Sequence, residues 1–141
     1  MLKNISKLIS PDLLKVLMEM GHGDEIVFAD SNFPAASCAQ RLVRADGLSV
    51  TALLEAILPL FPLDVNVPSS KNAIVMQPED GTVPPVWLEY EQCLARYEPD
   101  SFLSTISRPD FYVRARQAYA VVATGETALY GNLILKKGTV G

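Results

Sequence analysis

Histidine occurs once in these 141 residues, at position 22, and cysteine twice, at positions 38 and 93. One imidazole and two distant thiols without Cys-x-x-Cys spacing are too few for a metal centre or a disulfide framework. Cys38 and Cys93 stand among apolar neighbours and read as buried free thiols, which suits a reducing cytoplasm. Long apolar runs are also missing: nothing approaches the roughly 18 residues that a membrane span requires. Met1 to Ser10 interleaves Lys3 and Lys7 with Leu2, Ile5, Leu8 and Ile9, too interrupted for the apolar core of a secretion signal. Positive charge is in short supply, with 12 Lys and Arg against 16 Asp and Glu and a net charge of -4, so neither nucleic acid nor a membrane surface is an expected partner. There is no Gly-rich phosphate loop and no Gly-x-Ser-x-Gly elbow, which moves nucleotide and acyl-transfer chemistry out of the front rank.

What is present is an ordinary globular composition, 49% apolar and 20% charged, in a length that fits one domain over residues 1–141 and buries about two thirds of its unfolded surface. Ser10 caps a helix opening with Pro11 and Asp12, in which Leu13, Leu14, Leu17 and Met20 recur at helical spacing until Gly21. Short runs rich in strand formers follow: Glu25 to Ala29, Leu42 to Ala45, Ala73 to Met76, Ala118 to Thr124 and Leu133 to Lys136. Between them lie a helix capped by Ser49 and ended by Pro59 and Pro62, another from Pro84–Pro85 to Tyr97, and a third from about Pro109 to Gln117. The expected fold is a three-layer α/β/α domain around a central mixed β-sheet, the last two strands forming an antiparallel pair.

Four places combine polar function with a turn or strand end. His22 lies between two glycines, where a chain turns tightly and a ligand can approach. Asp30 follows a strand, Arg108 precedes a proline, and Tyr130-Gly131-Asn132 links the last two strands. Each has a bland reading: a helix-end histidine, a turn carboxylate, a solvated arginine and a hairpin connection. Together they offer a carboxylate, a guanidinium, a phenol, a carboxamide and an imidazole, the mixture of donors and acceptors that sugar hydroxyls need.

Met1-Leu2-Lys3 through Ile9-Ser10-Pro11, Met20-Gly21-His22-Gly23-Asp24-Glu25-Ile26, Phe33-Pro34, Arg44-Ala45-Asp46-Gly47, Tyr130-Gly131-Asn132 and Leu135-Lys136-Lys137-Gly138 resemble the fucose mutarotase and ribose pyranase family, on the L-fucose side. The resemblance covers nearly the whole chain; no motif stands out from Asn66 to Ser104. It implies an isomerase that interconverts the α and β anomers of L-fucose, with His22 as the proton-transferring residue and Asp30, Arg108, Tyr130, Gly131 and Asn132 contacting sugar. Arginine rather than histidine at 108 points to the fucose branch. The resemblance further implies a ring-like homo-oligomer, commonly a decamer, with sites near subunit contacts.

The reaction sets its own needs. Mutarotation protonates the ring oxygen of a pyranose, removes the anomeric hydroxyl proton, and closes the aldehyde on its other face; nothing is oxidised, so no cofactor is called for. An imidazole doing one of these transfers contributes on the order of a hundredfold or more. The base partner of His22 is unassigned, and Asp24 either orients that ring or caps its turn. An extended strand from Glu25 to Ala29 would separate His22 from Asp30 by up to roughly 25 Å, so the pocket is expected to be shared between subunits. Two other readings stay open: a non-catalytic monosaccharide-binding protein of an uptake or catabolic system, and a ribose-type pyranase.

Overall fold

The structure is a computed structural model that describes residues 1–65 and 71–141. Among them, six strands form one sheet in the order β2-β5-β1-β6-β3-β4, with β1 Glu25–Ala29, β2 Leu42–Ala45, β3 Ala73–Met76, β4 Ser104–Ile106, β5 Ala120–Thr124 and β6 Leu133–Lys136. The helices are α1 Pro11–Glu19, α2 Ala35–Cys38, α3 Val50–Ile57, α4 Val86–Tyr97 and α5 Arg108–Gln117. Three start where a serine does the capping: Ser10, Ser49 and Ser107 accept hydrogen bonds from Leu13, Ala52 and Asp110, each satisfying one amide that the first turn leaves unpaired.

Side-chain alternation along the strands divides the core in two. Ile26, Phe28, Val122, Leu133 and Leu135 join residues of α1, α3 and α4 on one face. Val27, Ala29, Val121 and Ile134 join Ala35, Cys38, Phe111 and Ala115 of α2 and α5 on the other. Both faces of the central strands are covered, which is why β1 and β5 read as continuous apolar runs. The three-layer mixed α/β expectation is met.

The local pairing differs from expectation. β5 and β6 are not neighbours: β1 lies between them, parallel to β5 and antiparallel to β6. Tyr130-Gly131-Asn132 is therefore a crossing loop over the end of β1, not a hairpin. β1, β5 and β6 are all buried on both faces and each pairs with two neighbours, so apolar patterning alone does not set their order in the sheet. Arg108 is the first residue of α5 instead of a loop residue. Two elements lie outside the expected set: α2 and β4, four and three residues long, are too short to show a periodicity. Part of the expected loop from Asp64 to Ser70 lies outside the described residues, and its described start is anchored by the Asp64 amide donating to Lys136 O at 3.0 Å, next to the bridge of Leu63 to Lys137.

Every strand but β6 runs one way, so the carboxyl ends of the other five and the start of β6 share one edge of the sheet. Open α/β sheets bind ligands along such an edge.

Candidate functional site

At that edge the chain ends of four elements meet around a cavity of about 320 Å³. Asp30 and Phe33 come from the end of β1 and the turn after it, Met76 from the end of β3, Arg108 and Tyr112 from α5, and Tyr130 and Asn132 from the loop into β6. Four of the residues singled out in the sequence, Asp30, Arg108, Tyr130 and Asn132, thus line one hollow. Gly131 sits behind it, buried.

Asp30 is only 6% exposed. Burial pushes its carboxyl above the ordinary range, while the backbone N–H groups of Asn32, Phe33 and Gly131 pull it back down and Glu126 adds an upward push. The Asp30 amide donates to Oδ1 of Asn132 at 2.7 Å, which leaves the carboxamide NH2 of Asn132 as the group it can offer a ligand. Opposite them Arg108 has no ion pair among the described residues, and its guanidinium lies 5.7 Å from the Tyr112 ring centroid. Phe33 stacks on Tyr112 with centroids 5.2 Å apart. The hollow therefore presents acceptors, donors and an aromatic wall together.

A second hollow of about 620 Å³ borders the first through Leu129 and Tyr130, walled largely by Val83, Pro84, Pro85, Val86 and Ala128. It is larger, but its charged groups are the carboxylates Asp80, Glu89 and Glu126, and a neutral polyol is better matched by the mixed polar set of the smaller one.

His22 is elsewhere. It precedes β1 and stands at the opposite edge of the sheet, five residues of extended strand from Asp30, about 16 Å at the usual rise. Its turn is built on Gly23, whose φ of +88° suits glycine, and on Asp24, whose Oδ2 accepts the Gly21 amide at 2.8 Å. Asp24 thus caps the turn, and the carboxylate facing the ring is one that sequence reading missed: Asp64, with Oδ1 3.3 Å from Nε2 of His22. The imidazole is half exposed and Asp64 is 6% exposed. Donation from Nε2 to the carboxylate leaves Nδ1 as the nitrogen free to exchange a proton.

Backbone after β6 brings these two together. Gly23 donates to Lys137 O at 2.8 Å and Lys137 to Asp24 O, while on the other side Asp64 donates to Lys136 O and Gly138 to Pro62 O. Asn72 fastens the Asp64 carbonyl through its side chain at 3.0 Å. No local pattern flags Asp64, 42 positions from His22. Tyr112 did carry a signal, four residues beyond Arg108 on the same helix face.

Residues 3–140 match the RbsD / FucU transport protein family. The chain belongs to that family. Among relatives of this RbsD / FucU member, the fucose mutarotase of Homo sapiens is 53% identical over 145 residues, spanning 99% of this chain and 94% of the human one. The crystal structure of the fucose mutarotase in complex with L-fucose from Streptococcus pneumoniae is 51% identical, with a TM-score of 0.92 and coverage of 99% of this chain and 100% of that one. Bacillus subtilis RbsD complexed with D-ribose, at 20% identity and a TM-score of 0.74, shares the fold.

Proposed function

We propose that this protein is a fucose mutarotase, an isomerase exchanging the α and β anomers of free L-fucose by proton transfer alone. The observation that carries it is the cavity at the carboxyl edge of the sheet, where Asp30, Arg108, Tyr130 and Asn132 converge in a chain 51% identical to a fucose mutarotase solved with L-fucose. Asp30 accepts and Arg108 and Asn132 donate to sugar hydroxyls, while Phe33, Met76 and Tyr112 suit the methyl group of a 6-deoxy sugar.

His22, held by Asp64, supplies the acid. It protonates the ring oxygen as the anomeric hydroxyl loses its proton to solvent or a cavity group; the C1–O5 bond breaks to the aldehyde, C1–C2 rotates, and closure on the other face returns both protons. Because His22 and Asp30 stand at opposite edges of the sheet, the working site pairs the sugar cavity of one copy with the His22–Asp64 pair of the next in a ring-like homo-oligomer, a decamer by family resemblance. Two buried free thiols, Cys38 and Cys93, suit a reducing cytoplasm.

Saturation-transfer NMR on L-fucose, D-ribose and D-galactose tests the reading. Faster anomer exchange of L-fucose than of the others is expected; exchange unchanged by the protein overturns the enzyme and leaves a sugar-binding role. Co-assembling His22→Ala with Asp30→Asn subunits tests the shared site, since each is inactive alone and mixed rings regain activity. No recovery in mixed rings places the site within one chain.

A further inference from the structure

The loop from Glu126 to Asn132 is held from behind by a helix that contributes no residue to the cavity lining. On α4, Nε1 of Trp87 donates to the Tyr130 carbonyl at 3.0 Å, and one turn later the Tyr90 hydroxyl donates to the Gly131 carbonyl at 2.7 Å. Both side chains are buried, Tyr90 completely. The loop they hold is constrained: Tyr130 has a φ of +56°, in the left-handed region that costs a bulky residue energy. A methyl on Gly131 would come within 3.0 Å of the Ala128 carbonyl oxygen and 3.2 Å of the Tyr90 hydroxyl.

A trans peptide carries its C=O and N–H on opposite sides. With the Tyr130 carbonyl drawn toward Trp87, the N–H of that peptide, which belongs to Gly131, is turned to the other side, where Asp30 lies. We propose that Trp87 and Tyr90 are positioning residues of the sugar cavity: they orient two successive peptides so that the Gly131 N–H is presented to the Asp30 carboxylate and Tyr130 and Asn132 to the ligand. The Gly131 amide is among the groups that favour the charged form of Asp30. The other groups acting on that carboxylate are the Asn32 and Phe33 amides and Glu126 from the β5–β6 loop and Tyr90 itself from α4, while Arg108 and Tyr112 from α5 and Tyr130 share the cavity with it. None of these is removed by changing Trp87.

The sugar assignment rests on the proposed function, so the test has an arm that needs no sugar. In Trp87→Phe and Tyr90→Phe the ring bulk stays and one donor goes. Loss of the Gly131 amide's grip moves the Asp30 carboxyl titration, followed by carbon NMR with Asp30→Asn to assign it, to higher pH. With L-fucose, KM rises about tenfold, the worth of one buried hydrogen bond, with a smaller change in kcat, and the acid limb of kcat/KM moves up with the carboxyl. A fall in melting temperature with KM and the Asp30 titration unmoved makes both residues merely structural and overturns the proposal. If the variants do not fold, wild-type protein decides: the Gly131 amide proton shift titrates with the same midpoint as the Asp30 carboxyl, and an amide shift indifferent to that midpoint refutes the contact. Failure of the wild type to speed L-fucose exchange would remove the sugar, not the clamp.

Discussion

Gly138→Ala should damage both stability and rate, through one strap of backbone. The glycine lies against residues 62–64, and an added Cβ would fall 2.7 Å from the Leu63 carbonyl carbon and 3.0 Å from Asp64 Cα, with the Leu63 carbonyl oxygen closer still. Carbon atoms in contact settle about 3.5–4.0 Å apart, so the strap must retreat by roughly 1 Å, and all three atoms are backbone that cannot rotate aside. Overpacking of this kind costs about 1–3 kcal/mol, and at about 2–4 °C per kcal/mol for a chain of this size the melting temperature should fall by about 2–12 °C. The same retreat stretches the hydrogen bonds from Gly138 to Pro62 and from Asp64 to Lys136 and carries Asp64 away from His22. A displacement of about 1 Å in a proton-transferring group can cost a hundredfold. Thermal unfolding followed by circular dichroism and anomer exchange followed by NMR read the two effects separately. In His22→Ala/Gly138→Ala the rate should match His22→Ala alone, because both changes act on one device. An unchanged melting temperature would refute the packing argument, and a lowered one with full activity would show that the strap does not position the imidazole.

Further outcomes follow from the same geometry. His22→Ala should abolish accelerated exchange while leaving L-fucose binding within about twofold in a calorimetric titration, and Asp64→Asn should lower kcat far more than it raises KM. Asp30 has a carboxyl raised by burial, so its contribution to stability is present below the unfolded-state range and is lost as pH rises through the higher folded value. Asp30→Asn should therefore melt no lower than wild type at neutral pH, with its relative advantage shrinking on acidification, although sugar binding is lost. Burial pushes the Cys93 thiol up to about 12, where the Glu55 carboxylate accepts its hydrogen at 3.1 Å; alkylation by iodoacetamide at pH 8 should be negligible until the protein unfolds.

Where residues acted through their neighbours in the chain, the sequence was readable. Serine caps, proline openings and runs such as Ile26-Val27-Phe28 carry local instructions, so α1, α3, β1, β3 and β6 stand where patterning placed them. Long-range partners carry no such instruction. That β1 rather than β6 neighbours β5 is a property of the assembled sheet, because both strands are equally apolar and buried. The cavity-lining residues Asp30, Tyr130 and Asn132 were legible through a resemblance whose motifs lie at strand ends; Asp64 was not, since an acid after Pro62-Leu63 looks like any loop acid until Lys136 and Lys137, at the end of β6 and just beyond it, run alongside. Trp87 and Tyr90 are core residues of α4 that the sequence did not single out, because their polar ends act on the Tyr130–Gly131 loop, 43 and 41 positions away.

The single reversed strand has a kinetic consequence. β6 begins beside Asn132 in the cavity and ends beside the backbone that joins His22 to Asp64, so the two regions of the proposed shared site lie at opposite poles of each chain. A site shared in the proposed way requires head-to-tail assembly, and a head-to-tail contact either closes into a ring or runs on into a filament. On that proposal, below the concentration at which the ring holds together separate chains would keep every residue of the site and none of its function, and specific activity should fall away on dilution instead of staying constant.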